Sequence, residues 1–185
     1  MARVAYAFDR GFTGPTLVSL HSLLRSRPGP SEVHLYADPP GDAAARVLAH
    51  LAERHPQAGI QLHPIERPVR SDLRRGPYPA TCLAPLYLPG RHEGRLLYID
   101  GDTLVRHDVG PLLEVDMEGH PLAGCRALGV HKTHLALTSP NPVWRLDGWF
   151  RRRKMFLLPN MRLDSYVNTG VLVIDCDRMR ETGLD

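Results

Sequence analysis

Asp100 and Asp102 flank Gly101 directly after "RLLYI", which reads as the most hydrophobic strand of the sequence. Two carboxylates this close repel one another by roughly 1–4 kcal/mol, depending on solvent access. Something positive, or a hydrogen-bond donor, must therefore sit among them. Hard oxygen ligands with open positions suit Mn2+ or Mg2+, because these ions keep waters and bind a nucleotide diphosphate beside the protein ligands. Such a metal would neutralise the acids and hold a leaving diphosphate as a Lewis acid. Gly101 lets another group approach the backbone closely. A polar turn capped by aspartates is the competing reading, and the apolar run before it favours chemistry by fixing the turn at a strand end.

The elements that would position these acids follow from the hydrophobic pattern. "RVAYAF" is a short apolar strand ended by Asp9. The next segment has Pro15 in a first helical turn and Leu17, Leu20 and Leu24 on one face. "SEVHLYAD" is a second strand, residues 41–56 a second helix with Val47, Leu48 and Leu51 inward, and "GIQLHPI" a third strand. This alternation predicts an α/β domain with a mostly parallel central sheet flanked by helices. "RLLYI" and "PLAGCRAL" add strands, and residues 141–164 are loop-rich with a helical centre. "SYVNTGVLVIDCDRMRETG" reads as turn, buried strand and helix start. In open parallel sheets ligands collect beyond the carboxyl ends of the strands, which places Asp9, Asp100 and Asp102 on one rim.

The length, 185 residues, suits one domain spanning 1–185 and would cramp two. A formal charge of +3 from scattered arginines gives no footprint for nucleic acid. Cys82, Cys125 and Cys176 are odd in number and lack CxxC spacing, so they read as reduced, mostly core thiols of a cytoplasmic protein. "MARVAYAFDR" has a strand pattern and not that of a signal peptide, and no run reaches the roughly 18 apolar residues of a membrane helix. "RRRK" at 151–154, near Trp144, Trp149 and Phe150, is the one concentrated basic patch. It reads as a solvated loop, or else as a contact for an anionic acceptor or for headgroups at the inner face of a membrane.

Three separated blocks, "VAYAFDRGF…SLHSLL", "RLLYIDGDTLV" and "SYVNTGVLVIDCDRMR", resemble glycosyltransferase family 8 in order and spacing. That group contains lipooligosaccharide galactosyltransferases and glycogenin. The resemblance implies a nucleotide-diphospho-sugar transferase fold of the GT-A type. It also implies Mn2+-dependent transfer of a hexose from a UDP-sugar, with retention at the anomeric carbon, to a saccharide, lipid-linked or protein acceptor. Asp100 and Asp102 match the metal-binding aspartates, and Asp100 with Gly101 also lies beside the nucleotide sugar. Asp9 matches the acceptor for the uracil N3–H, which cytosine lacks. Ala7 and Phe8 match positions lining the nucleotide pocket, and Phe12 matches an aromatic position against the uracil ring. Asn168 and Thr169 match a turn beside the donor sugar, and Gly170 lets that turn pack tightly. Taken singly, Asp9 is equally a helix cap, Phe12 core packing, and Asn168–Gly170 an ordinary turn.

The chain departs from the family pattern in two places. An arginine common in a "TYxR" stretch is replaced by Ala84 or Pro85, and a further aspartate has no clear equivalent near "GCRALG". The family's later "HxxGxxKPW"-like block, whose histidine completes the metal shell, has no counterpart before Asp185, so a chain incomplete at its C-terminus is expected. None of the ten histidines takes that place; His107 is nearest the acids in sequence and reads as a surface residue. Two rival functions remain: a non-catalytic UDP-sugar binding module, and a metal-dependent nucleotidyltransferase. The absence of a glycine-rich phosphate loop after the first strand counts against the second.

Overall fold

The computed structural model describes residues 1–65, 80–155 and 166–183. Among these, six strands form one sheet in the order β3-β2-β1-β4-β6-β5. The strands are β1 (Ala2–Phe8), β2 (Ser31–Ala37), β3 (Ala58–His63), β4 (Arg95–Ile99), β5 (Leu122–Arg126) and β6 (Val167–Asp175). β1 pairs in parallel with β2 and β4, and β2 with β3, whereas β6 runs antiparallel to β4. The expected mixed α/β sheet is therefore present.

The chain divides into two compact units, residues 1–123 with 170–185, and residues 124–169. In the first, β1 is buried along nearly its whole length, as its continuous apolar run requires of a strand covered on both faces. Helix α1 (Thr13–Ser26) and helix α2 (Asp42–Arg54) cover one face. Val4, Tyr6, Phe8, Val33, Leu35, Leu97 and Ile99 from that face pack with Leu20, Leu23, Leu24 and Leu51 of the helices. Leu20 and Leu24 are buried as the helical spacing predicts, and Leu17 is half-buried.

Four expectations need correction. Val47 does not face inward; it is 43% exposed and lines an open groove between α1 and α2 with Leu17 and His21. Leu51 of α2 is buried in the core and Leu48 packs against it half-buried, as the helical spacing predicts. Cys82 and Cys125 are exposed and only Cys176 is buried, with its thiol pushed up to about 11 by desolvation against the pull of Arg180. Cys82 lies on a short 3-10 turn (Ala80–Leu83), and Cys125 on the exposed half of the edge strand β5. Asn168–Gly170 are not a turn but the opening residues of β6. Residues 128–138, left without an element in the sequence pattern, form helix α5 below.

The segment 80–91 crosses the other face of the sheet through helix α3 (Ala84–Tyr87) and a second 3-10 turn (Leu88–Arg91). Ala84, Pro85 and Leu88 are buried there. Helix α4 (Gly110–Leu113) follows β4, and helix α7 (Cys176–Glu181) follows β6. Arg180 of α7 donates to the carbonyls of Pro89 (2.6 Å) and His92 (2.5 Å), anchoring the end of that crossing. Residues 67–90 read from the sequence as proline-broken and only partly helical; of these, residues 67–79 lie outside the described residues.

The second unit is built on helices α5 (Leu128–Thr138) and α6 (Pro142–Met155). The expected helical centre of residues 141–164 is α6, opened by Asn141, whose side-chain oxygen accepts from the Val143 amide at 2.9 Å. The helices touch at Gly148, where a Cβ would lie 2.8 Å from the Leu137 nitrogen and 3.0 Å from the Ala136 Cβ. Trp144, Trp149 and Phe150 are exposed, as are the first two arginines of the basic run, Arg151 and Arg152. Among the described residues no helix is long and apolar enough to cross a membrane.

Candidate functional site

β1 is the pivot of the sheet. The chain builds outward from it through β2 and β3, then returns to its other side with β4. At such a reversal the loops after the two central strands part and leave a crevice at their carboxyl ends. The register Val4↔Leu97 and Ala5↔Tyr98 aligns β1 with β4, so Asp9 and Asp100 emerge side by side from the same edge.

A cavity of about 170 Å3 opens there, lined by Ala7, Phe8, Asp9, Phe12, Asp100, Gly101 and Asp102 together with Thr81, Cys82 and Tyr98. The first seven are the nucleotide-site positions expected from the sequence. Asn168 and Thr169 belong to the second unit, where both are exposed at the start of β6. Ala84 and Pro85 are buried in α3 and offer no side-chain replacement for the missing arginine. His107 is exposed.

Asp9 does cap the turn that follows it. Its Oδ1 accepts from the amides of Gly11 (2.9 Å) and Phe12 (3.1 Å), which orients the carboxylate and leaves Oδ2 without a protein partner among the described residues. Capping and ligand binding are thus compatible, because one oxygen serves each. Phe12, the last residue of the 3-10 turn Arg10–Phe12, is 48% exposed, so its ring is a wall of the cavity and not core packing.

Asp100 is held more completely. Its amide donates to the Gly170 carbonyl at 2.8 Å. Its carbonyl accepts from the Thr103 amide at 3.2 Å and the Thr103 hydroxyl at 2.9 Å. Its Oδ1 accepts from the Tyr98 hydroxyl at 2.9 Å. Strand alternation explains this last bond, since residues two apart project to the same side. Desolvation pushes the Asp100 carboxyl above its ordinary range; the Tyr98 hydrogen bond opposes the shift and the charge of Asp102 adds to it. Burial and the neighbouring Asp100 together hold the Tyr98 phenol far above its ordinary value, so it remains a donor.

Gly101 has a more specific reason than general access. It faces α1, and a Cβ on it would lie 2.0 Å from Thr16 Oγ1 and 3.1 Å from Thr16 Cβ. The group that approaches the backbone is therefore helix α1 itself. Hydroxyls along α1 continue the contact: Ser19 meets Thr103 at 3.2 Å, Ser22 accepts from the Val105 amide at 2.9 Å, and Ser26 donates to the Val105 carbonyl at 2.9 Å. One helix thus starts at the Asp9–Phe12 end of the cavity and fixes the chain that carries Asp100 and Asp102.

The donor set fits a hard divalent cation in part. Two carboxylates face one cavity, and Asp100 is raised chiefly by desolvation with a smaller contribution from Asp102. Among the described residues no group of three or more His, Cys, Asp or Glu is arranged to hold a metal.

Comparisons with known proteins bear on the fold and the family. Across 98% of the chain the fold matches the bifunctional glycosyltransferase WbbM (TM-score 0.71, 18% identity, 32% of that chain). Across 97% it matches the galactosyltransferase LgtC in complex with donor and acceptor sugar analogs (TM-score 0.67, 20% identity, 59% of that chain). The mixed sheet with its flanking helices is a GT-A glycosyltransferase fold. The family model "Glycosyl transferase family 8" matches residues 81–185, and the chain belongs to that family. A curated relative, "Probable galacturonosyltransferase-like 10" of Arabidopsis thaliana, is 22% identical over 96% of the chain. The chain spans about half the length of that relative, 49%.

Proposed function

We propose that this chain carries the donor site of a retaining, Mn2+-dependent transferase that moves a hexose from a UDP-sugar to an acceptor. The observation that supports this most directly is the convergence on one cavity of Ala7, Phe8, Asp9, Phe12, Asp100, Gly101 and Asp102, residues drawn from two distant parts of the chain. Asp9 offers Oδ2 to the uracil N3–H, and its Oδ1 caps hold it in place. Phe12 gives an exposed ring for the base. Asp100 and Asp102 would hold Mn2+ or Mg2+, which supplies Lewis-acid stabilisation to the leaving diphosphate. The family resemblance assigns Asn168 and Thr169 to the donor sugar. No residue is assigned as a nucleophile, and the acceptor class, whether saccharide, lipid-linked or protein, is left to experiment. The setting is cytoplasmic, with contact to the inner membrane face through the α6 basic and aromatic residues as an extension of the same reading.

The test is UDP release from UDP-hexoses with Mn2+, with EDTA and with the Asp102→Asn variant. The expected result is metal-dependent release that EDTA and Asp102→Asn abolish. Mn2+-dependent UDP binding without turnover on any UDP-hexose and acceptor would instead define a binding module. Formation of a UDP-sugar from UTP and a sugar 1-phosphate would define a nucleotidyltransferase.

A further inference from the structure

Asp100 and Asp102 are equivalent in charge and differ in freedom. Asp102 is exposed and makes no hydrogen bond to the protein among the described residues. Asp100 has its amide bonded to Gly170, its carbonyl to Thr103 and its Oδ1 to Tyr98, so Oδ2 is the carboxylate oxygen without a protein partner among the described residues. Tyr98 is 2% exposed and lies in β4 two residues before Asp100. A carboxylate held in this way offers Oδ2 to a cation more readily than Oδ1, one lone pair of which is taken by Tyr98.

That restriction has a chemical consequence. Small divalent ions of near-octahedral preference accept single carboxylate oxygens and keep water in their other positions. Ca2+ takes six to eight oxygens and readily binds carboxylates through both. We propose that Tyr98 is a positioning residue that tunes the metal preference of the site, biasing Asp100 toward ligation through Oδ2 and so disfavouring Ca2+ relative to Mn2+. The inference rests on the metal role proposed for Asp100 and Asp102. It goes beyond that role by assigning selectivity to a side chain that touches no cation.

The experiment measures competition by Ca2+ for Mn2+ in the presence of UDP, following free Mn2+ by electron paramagnetic resonance. The protein is compared with Tyr98→Phe and with Tyr98 replaced by 4-aminophenylalanine, which keeps a donor, or by 4-methylphenylalanine, which keeps the bulk and loses it. Because UDP is common to all samples, its own metal affinity cancels between variants. The preference for Mn2+ over Ca2+ should fall about tenfold in Tyr98→Phe and the 4-methyl variant, the lower end of effects seen for partners of metal ligands. The 4-amino variant should retain it. A preference unchanged within about twofold in the donor-less variants, with Mn2+ still bound, would overturn the role of Tyr98 and leave the metal reading intact. Folding of the 4-amino variant alone, with both donor-less variants unfolded, would also overturn it, by showing that the hydroxyl serves stability. Wild-type protein that binds no Mn2+, or an Asp102→Asn variant that binds it as well as wild type, would instead remove the metal reading and this inference with it.

Discussion

On β2, Val33 and Leu35 alternate with His34 and Tyr36, and the two sets meet very different surroundings. The first set faces α1 and α2, among Val4, Tyr6, Phe8, Leu20, Leu23, Leu97 and Ile99. The second faces the crossing that ends at His92. There the Tyr36 hydroxyl pairs with His92 Nε2 at 2.9 Å, and His34 Nδ1 pairs with His63 Nε2 at 3.0 Å. The rings of His34 and His92 are 4.5 Å apart edge-on, and His34 Nε2 is buried without a partner. Arg3, paired with Glu32 at 3.1 Å, borders the cluster. The apolar face supplies burial and so stability. The polar face spends some of that stability to fix the segment that carries Thr81 and Cys82 to the cavity wall. The difference predicts where the molecule is sensitive to size and where it is sensitive to protons.

The largest effect belongs to the apolar face. Leu97→Ala or Leu35→Ala should cost about 2–5 kcal/mol, because both side chains are fully buried and a cavity would remain. The loss, measured by denaturant unfolding, should be the same at pH 8 and pH 6.

Next comes the acid response of the polar face. Desolvation, then the neighbouring His34, Arg3 and His63, lower His92 to about 4, and His34 is lowered chiefly by desolvation as well. A histidine depressed on folding binds protons more readily in the unfolded chain. Its contribution is therefore complete above about pH 6.5 and is lost progressively as pH falls toward 4. For His92 alone the loss amounts to at most about 3 kcal/mol. His92→Gln keeps a partner for Tyr36 and should flatten the dependence of unfolding free energy on pH in that window. An unchanged slope would show that the cluster does not carry the acid response.

Gly101→Ala probes the seam between the faces. Overlap with Thr16 should cost about 1–3 kcal/mol and weaken UDP binding through displacement of Asp100 and Asp102. Adding Thr16→Ala should recover part of the loss, since the Oγ1 contact disappears while the Cβ at 3.1 Å stays. A double-mutant cycle on melting temperature and UDP affinity measures this coupling.

The smallest stability change is expected for Phe12→Ala. An exposed ring contributes little to folding, so stability should stay within about 0.5 kcal/mol, while calorimetry should show UDP bound roughly tenfold more weakly. Destabilisation with unchanged UDP affinity would return Phe12 to a packing role.

Much of this architecture is legible in the sequence because buried strands of an α/β sheet are written as apolar runs. β1, β2, β4 and the Val171–Asp175 part of β6 fall where such runs lie, and α1 and α2 where the period changes. The carboxylates at the ends of β1 and β4 are visible for the same reason. Asn168–Gly170 mislead because their composition suits a turn, whereas pairing within the sheet holds them extended. Tyr98 was hidden inside the run that identified the site. Its role follows only from applying the two-residue alternation across the strand end to Asp100. Thr81 and Cys82 reach the cavity through a crossing of short turns whose path is set by tertiary contacts, Arg180 to Pro89 and His92 among them, and local pattern carries no record of that.

The proposed function requires Asp9, Phe12, Asp100 and Asp102 to form one UDP site assembled with a divalent metal. Thermal melts with UDP, CDP and GDP, each with and without Mn2+, test it most directly. At a ligand concentration of 100 Kd the native state gains about 2.7 kcal/mol, which for a chain of this size is a shift of roughly 5–10 °C. The account predicts a shift with UDP that needs Mn2+ and is much smaller with CDP, whose base lacks the N3 proton that Asp9 would accept. No shift with any nucleotide, or equal shifts with UDP and CDP, would contradict it.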